Sequence, residues 1–408
     1  MIPIHPPPFG LAVLVRAAFG RRPALREVEE AYAAGCGIAH AVWLPSARAG
    51  IAWSLQAAAY PGVAVACPAY TCKVVHEAVI RSGLPMRLVD VGTEGFLTDG
   101  AALVGEGGAP VVLCELFGHT YDLAHLATLA PSPPRLRVVD MATMVPLPEV
   151  VGRLAASDFA VVSFGIGKSM YAGWGAMGLT RDGALAAQVR ARRDEAVQPG
   201  GAALALRRGL VMALRTVVQH RALYRAAKDT ALAIGWLRRR IHGVEPAAGL
   251  PDRWAEGRGL DAEWFAPATG LDLALIVRNL AWAAEFSRRR LALAERYRAA
   301  LDGARGVVLP PASPYALSHF TVRVPPDARP ALVRALWRAG VDVGTLYEFP
   351  GYLDREAFPN AARIASEVVN LPLSVDLSDA DAGRIADVVR RVAADVRPSL
   401  AVPAGSCR

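Results

Sequence analysis

137-RVVDMATMVPLPEVVGRLAASDFAVVSFGIGKSMYAGWGAMGLT-180 is the stretch whose reading decides the fold. Two short apolar runs each end on a polar residue: Val138-Val139 leads into Asp140, and Phe159-Ala160-Val161-Val162 leads into Ser163. Runs of this kind bounded by glycine read as buried strands of a parallel or mixed sheet, with polar residues at the edge where ligands bind. Five positions past the serine stands Lys168, in a loop that holds Gly165, Gly167, Gly173 and Gly175. A further strand, Ala176 to Thr180, follows at once.

Lys168 has three readings. Gly167-Lys168-Ser169 ends like a phosphate loop, but Val162 stands where that motif needs its first glycine, and a strand follows where a helix should open. That reading fails. A solvated surface lysine is the default for any single Lys. The third reading is an amine nucleophile that forms a Schiff base with pyridoxal phosphate. Such chemistry needs a partly desolvated amine, and a carboxylate on the pyridinium nitrogen so that the ring serves as an electron sink. It also needs hydroxyl or backbone N–H donors for the phosphate. Asp140, Lys168 and Ser163 supply those three groups from adjacent strand ends.

Outward from this stretch the same grammar continues. Apolar runs at 42–44, 63–66, 86–91 and 110–114 alternate with helical patterns, which argues for an α/β sheet with helices on both faces. The helix that opens at Pro45-Ser46-Ala47-Arg48 offers free N–H groups and a positive dipole end, a natural phosphate seat. Ser46 is an ordinary N-cap in the plainer reading, and the two roles are compatible. The 408 residues allow two or three domains, and a 53% apolar share allows a large core. Five cysteines (Cys36, Cys67, Cys72, Cys114, Cys407) without metal spacing argue for reduced thiols in the cytoplasm and no metal site. The opening MIPIHPPPFG lacks the layout of a signal peptide, and no apolar run reaches the length of a membrane span. A net charge of +8 fits either an anionic ligand or a solvated basic surface. Nucleic-acid binding is not expected, because no recognition helix or aromatic–basic surface motif is evident.

Taken together, PAYT (Pro68 to Thr71), VDV (Val89 to Val91), FGHTYDL (Phe117 to Leu123), VVDMAT and SFGIGK resemble the DegT/DnrJ/EryC1/StrS family of sugar-nucleotide aminotransferases. The resemblance covers residues 25 to 195 well and 265 to 395 more loosely. It implies a fold-type-I pyridoxal-phosphate enzyme, with a large domain built on a mixed, mostly parallel sheet and a smaller C-terminal α/β domain. It implies transfer of an amino group from an amino acid, glutamate, to a keto-sugar nucleotide, in a homodimer with the site near the interface. Lys168 then carries the cofactor, Asp140 supports its pyridinium, and Ser163 with Ser46 and Ala47 holds its phosphate.

Several positions depart from the family's pattern. Arg48 replaces a threonine and either pairs the phosphate or points to solvent. Cys72 stands where an aromatic stacks on the cofactor ring; Tyr70 either substitutes for it or is a core residue. Thr143 takes the place of a glutamine that touches the phenolic oxygen. His319 either meets substrate or cofactor or is structural. Tyr347 matches an aromatic of a His-Tyr-Pro turn whose neighbours here are Leu346 and Glu348. The family's Asn-x-Arg segment, which reaches the partner subunit's phosphate, has no counterpart at 266–269. These departures leave open a pyridoxal-phosphate enzyme of another reaction type. Sugar dehydratases of this fold carry histidine at the lysine position, so Lys168 counts against them. A non-catalytic, membrane-associated or regulatory homologue is the remaining alternative.

Four segments are expected: an irregular arm (1–24), the cofactor-binding domain (25–197), a basic helical insert (198–264), and a linking helix with the small domain (265–408). Within the insert, residues 202–241 carry nine Arg or Lys against the single acid Asp229. This amphipathic pair covers the site, extends a dimer interface or lies on an anionic membrane. Residues 271–301 are expected as one long helix.

Overall fold

The computed structural model describes residues 1–58, 62–105, 108–129, 134–242 and 264–394. The sheet strands are β1 His40–Leu44, β2 Val65–Pro68, β3 Met86–Val89, β4 Val111–Cys114, β5 Arg137–Asp140, β6 Asp158–Ser163 and β7 Ala176–Thr180. They hydrogen-bond in the order β1-β7-β6-β5-β4-β2-β3. Strands β3, β2, β4, β5 and β6 run parallel, and β7 runs antiparallel to both β6 and β1. The sheet is mixed and mostly parallel, as the apolar runs imply.

Period two divides the strand residues between two layers. Phe159 and Val161 pack with Val138, Val112 and the helix Ala47–Ala57 on one face. Ala160 and Val162 pack with Val139, Leu113 and the helix Gly270–Ala281 on the other. The alternation carries Asp140 and Ser163 onto the face covered by the Ala47–Ala57 helix, at the carboxyl edge of the sheet. At the opposite end Arg137 and Asp158 are register partners. Their bidentate, buried ion pair (2.6 and 2.9 Å) ties the first residues of β5 and β6 together.

A two-stranded antiparallel sheet, β8 (Phe320–Arg323) with β9 (Val368–Leu371), forms the smaller C-terminal layer. Phe320, Val322, Val369 and Leu371 pack there with Tyr297, Leu336 and Ile385 from three helices. Residues 341–343 make only a single bridge, between Val341 and Ile2, in place of the strand their sequence suggests.

Two local differences from the sequence reading have plain causes. Within the arm, Leu11–Phe19 is a helix; its Leu14 is buried in the main core, which holds a turn too weak to declare itself by periodicity alone. The helix expected over 271–301 is two, Gly270–Ala281 and Ala283–Leu301, which meet at Trp282. There the backbone leaves helical geometry (φ −102°, ψ 2°), and the Arg278 guanidinium lies 5.4 Å from the Trp282 ring centre. The insert's described part is the helix Ala202–Val218 and the helix Tyr224–His242. The loop expected from 243 onward lies outside the described residues, save Trp264. Cys36, Cys67, Cys72 and Cys114 are free thiols. Among the described residues no helix is long and apolar enough to cross a membrane.

Candidate active site

The carboxyl ends of β4, β5 and β6 open onto a cavity of about 310 Å³, within the range of small-molecule and cofactor pockets. Asp140, Ser163 and Lys168 all line it, with Pro45, Ser46, Ala47 and Arg48 from the neighbouring helix entry. Cys72, Thr143 and Tyr347 join them. The polar residues singled out in the sequence at separations of up to about 300 positions thus share one space.

Asp140 is placed by its strand and tuned by burial. Desolvation pushes its carboxyl above the ordinary carboxylate range, opposed by the nearby Lys168 and by the Ala142 N–H, which donates to Oδ1 at 2.9 Å. A buried carboxylate so poised favours a cation on its open side. Ser46 caps the helix Ala47–Ala57, its Oγ accepting from Ala49 N–H at 3.2 Å. Ser163 Oγ accepts from Gly165 N–H at 3.3 Å. Both hydroxyl hydrogens remain available to a phosphate, beside the helix's first N–H groups.

The lysine loop is shaped by glycine where glycine is required. Gly175 has φ +95°, and a Cβ there would stand 2.7 Å from Trp43 Nε1. Gly173 (φ +112°) faces Asp272 Oδ1 and Met212 at 3.0 Å. Ser169 Oγ donates to Thr143 O at 2.6 Å, and Thr143 Oγ1 donates to Glu115 O at 3.1 Å. Thr143 therefore serves as a link between the lysine loop and β4, while it also lines the cavity.

Arg48 does not point to open solvent. It is buried, 4.0 Å from Glu77 and 5.9 Å from the Trp264 ring centre, on the rim of the cavity. Tyr70 lies outside the cavity lining: its hydroxyl donates to Leu346 O at 3.0 Å and accepts from Tyr347 N–H at 3.1 Å. Its bonding partner Tyr347 does line the cavity, stacked on Phe117 with ring centres 5.7 Å apart. His319 is buried behind the lysine loop, bonded to Ser318 Oγ at 3.0 Å and in edge contact with His5. Burial drives its imidazole well below the usual range, so it is neutral.

Sequence reading alone passed over Glu115, Tyr171, Trp174 and Val211, which also line the cavity. Glu115 carried a usable signal: it follows the apolar run Val111–Cys114, and Cys114 is the register partner of Asp140. Its carboxylate is held by a bidentate pair to Arg153, both contacts 2.8 Å, which opposes the upward push of burial. Trp174 is covered by the Arg208 guanidinium at 4.9 Å, and Arg208 is anchored by Asp272 and by Pro267 O. Through that pair the insert helix Ala202–Val218 is fixed against the loop, and Val211 reaches the cavity mouth.

A sheet with one reversed strand, a glycine-loop lysine and an aspartate on the adjacent strand end together define a fold-type-I, pyridoxal-phosphate-dependent transferase. The model of the DegT/DnrJ/EryC1/StrS aminotransferase family matches residues 12–206 and 269–390, and the chain belongs to that family. The gap between the two matched segments falls on the basic insert. Among solved structures the chain is similar to the sugar aminotransferase CalS13 from Micromonospora echinospora, with 19% identity, TM-score 0.68, and coverage of 96% of this chain and 100% of that one. It is similar to DesV from S. venezuelae, with 21% identity, TM-score 0.67, and coverage of 95% and 94%. It is also similar to Spr1654 from Streptococcus pneumoniae in its PLP form, with 16% identity, TM-score 0.66, and coverage of 96% and 98%.

Proposed function

We propose that this aminotransferase moves an amino group from glutamate to a keto-sugar nucleotide, with pyridoxal phosphate held by Lys168, Asp140, Ser163 and the Ser46–Arg48 turn. The observation that carries the reading is the convergence of these groups on one cavity at the carboxyl edge of the sheet. They fit the cofactor group by group: an amine for its aldehyde, a buried carboxylate for its ring nitrogen, and hydroxyls with a helix N-terminus for its phosphate. When bound, pyridoxal phosphate supplies an electron sink that acidifies the Cα–H of the amino donor.

The chain's own residues do the rest. Lys168 Nζ would hold the cofactor's aldehyde and is the amine placed to take up the proton from the donor's Cα–H and give it back. Asp140 would favour a protonated ring nitrogen by offering it a buried carboxylate acceptor. Thr143 fixes the distance between the lysine loop and β4. Tyr347, stacked on Phe117, forms part of one wall of the cavity.

The reading is tested by mixing the purified, cofactor-loaded protein with glutamate alone. Formation of 2-oxoglutarate should accompany a stoichiometric change in the cofactor spectrum from its aldehyde to its amine form. A spectrum that no amino acid donor alters ends the proposal.

A homodimer belongs to the same reading. The insert helix exposes Leu206, Leu210, Val211 and Leu214, and the arm helix packed beside it exposes Leu11, Val15 and Phe19. That apolar face is continuous with the cavity mouth through Val211, and a second copy of the chain is the occupant that would complete the site there. Light scattering should give twice the chain mass, and L210E/L214E should give the monomer with at least a several-fold loss of activity. A wild-type monomer that floats with anionic vesicles would replace this assignment with membrane contact.

A further inference from the structure

Part of the cavity wall belongs to a strap. Residues 345–358 contain no helix or strand, yet they carry Tyr347 into the lining. The strap leaves the C-terminal layer at Gly344, which bridges Asn370, and Leu346 N–H donates to Asn370 Oδ1 at 2.7 Å. It ends at the helix Pro359–Glu367, whose Asn360 and Ala361 N–H groups donate to the Asp90 carboxylate at 3.0 and 2.8 Å. Between those ends two tyrosine hydroxyls tie it to the large domain. Tyr70, two residues past β2, is buried, and its one hydroxyl serves both Leu346 O and Tyr347 N–H. Tyr352 is 59% exposed, with water at hand, but its hydroxyl lies 2.7 Å from Nδ1 of the buried His76. His76 Nε2 in turn lies 2.7 Å from Pro68 O, the last residue of β2. A carbonyl only accepts, so Nε2 carries the proton. Burial holds the imidazole below its usual range and therefore neutral, which leaves Nδ1 to accept from Tyr352.

Both partners of these ties belong to elements that line the cavity. The helix that bears His76, Lys73–Arg81, contributes Val74 and Val75, and its N-cap is Cys72. The strap contributes Tyr347. Tyr70, His76 and Tyr352 are themselves absent from the lining, so whatever they do at the site they do through the strap. With no helix or strand bonds of its own, a segment of this kind takes its position from the side chains that hold it. Resting on the cofactor assignment above, we infer that Tyr70, and Tyr352 through His76, are positioning residues: they hold the strap, and Tyr347 with it, against the cavity, and so set how long the cavity keeps its cofactor.

The test uses the full-length protein and hydroxyl deletions that keep each ring in place. In the cofactor-free protein, amide hydrogen exchange over residues 344–353 should quicken in Tyr70→Phe and in Tyr352→Phe, and most in the double variant. In the loaded protein, release of pyridoxal phosphate, followed by its absorbance on rapid dilution, should speed up about two- to tenfold in each single variant, the effect of one neutral hydrogen bond. The double variant should reach at least the product of the two, because both hydroxyls hold one segment. Tyr297→Phe removes a hydroxyl bonded to Pro372 O in the C-terminal core, and it should change neither readout. Exchange that quickens while release in the double variant stays within about twofold overturns the inference and leaves the cofactor assignment standing. Release that rises as much in Tyr297→Phe traces the effect to general stability and also overturns it. A wild-type protein that takes up no pyridoxal phosphate overturns the cofactor assignment itself, and this role with it.

Discussion

Lys168→Ala is expected to abolish transamination, with a loss on the order of 10⁴-fold or more, because the substitution removes both the covalent attachment point and the proton carrier. Among the described residues that line the cavity, the only other cation is Arg48. A guanidinium does not deprotonate in proteins, and Arg48 is engaged by Glu77 and Trp264, so it cannot take over. Lys168→Arg should be as inactive as the alanine variant for the same reason. The fold should survive both changes. The loop is held by backbone bonds from Lys168 N–H to Gly165 O (3.3 Å) and from Tyr171 N–H to Lys168 O (3.2 Å), which any side chain leaves in place. The unfolding free energy from denaturant titration should therefore change by no more than about 1 kcal/mol. Borohydride reduction of the loaded wild type, followed by digestion, gives the direct measurement. A labelled peptide without Lys168, or a Lys168→Ala protein with more than a trace of turnover, would sink the assignment.

Much of this was written locally in the chain. Period two along β5 and β6 sets which side chains enter which layer, and it delivers Asp140 and Ser163 to one face of one edge. A lysine that follows such an edge within a glycine loop has few places to go. Residues that owe their position to long-range packing left no such trace. His5, Arg290, Ser318 and Ser374 surround the back of the lysine loop from four distant segments, and each in isolation reads as an ordinary surface or core residue. Val211 reaches the cavity because Arg208 is buried against Asp272 and Trp174, a tertiary contact no helical periodicity encodes. Tyr70 shows the limit of reasoning by proximity in sequence. It lies close to Cys72 along the chain, yet its hydroxyl is committed to the backbone of Leu346 and Tyr347, and of the two tyrosines it is Tyr347 that lines the cavity.

Asp140→Asn separates stability from function at a single atom pair. The carboxyl's folded value lies above the ordinary 3.8, so the folded protein holds the acid form more tightly than the unfolded chain does. The stability from that preference is present at acid pH. It is lost as the pH rises from about 3.8 through the raised value, and above it the ionised group is a net penalty until a cation is bound. Asparagine keeps the volume and the acceptor for the Ala142 N–H but carries no charge. Without cofactor, the variant at neutral pH should be at least as stable as the wild type, and the wild type alone should lose stability across that acid window. With cofactor the order reverses. The wild type gains an ion pair that is buried on both sides, and removing one partner of such a pair costs about 3–5 kcal/mol, or roughly 10²–10³-fold or more in affinity. Turnover at saturating cofactor should fall as well, because nothing then holds the ring nitrogen protonated while charge develops on it. Thermal melts of both proteins, with and without pyridoxal phosphate at several pH values, measure every arm of this prediction. An Asp140→Asn protein that binds cofactor as tightly as the wild type would remove Asp140 from the site, whatever its effect on stability.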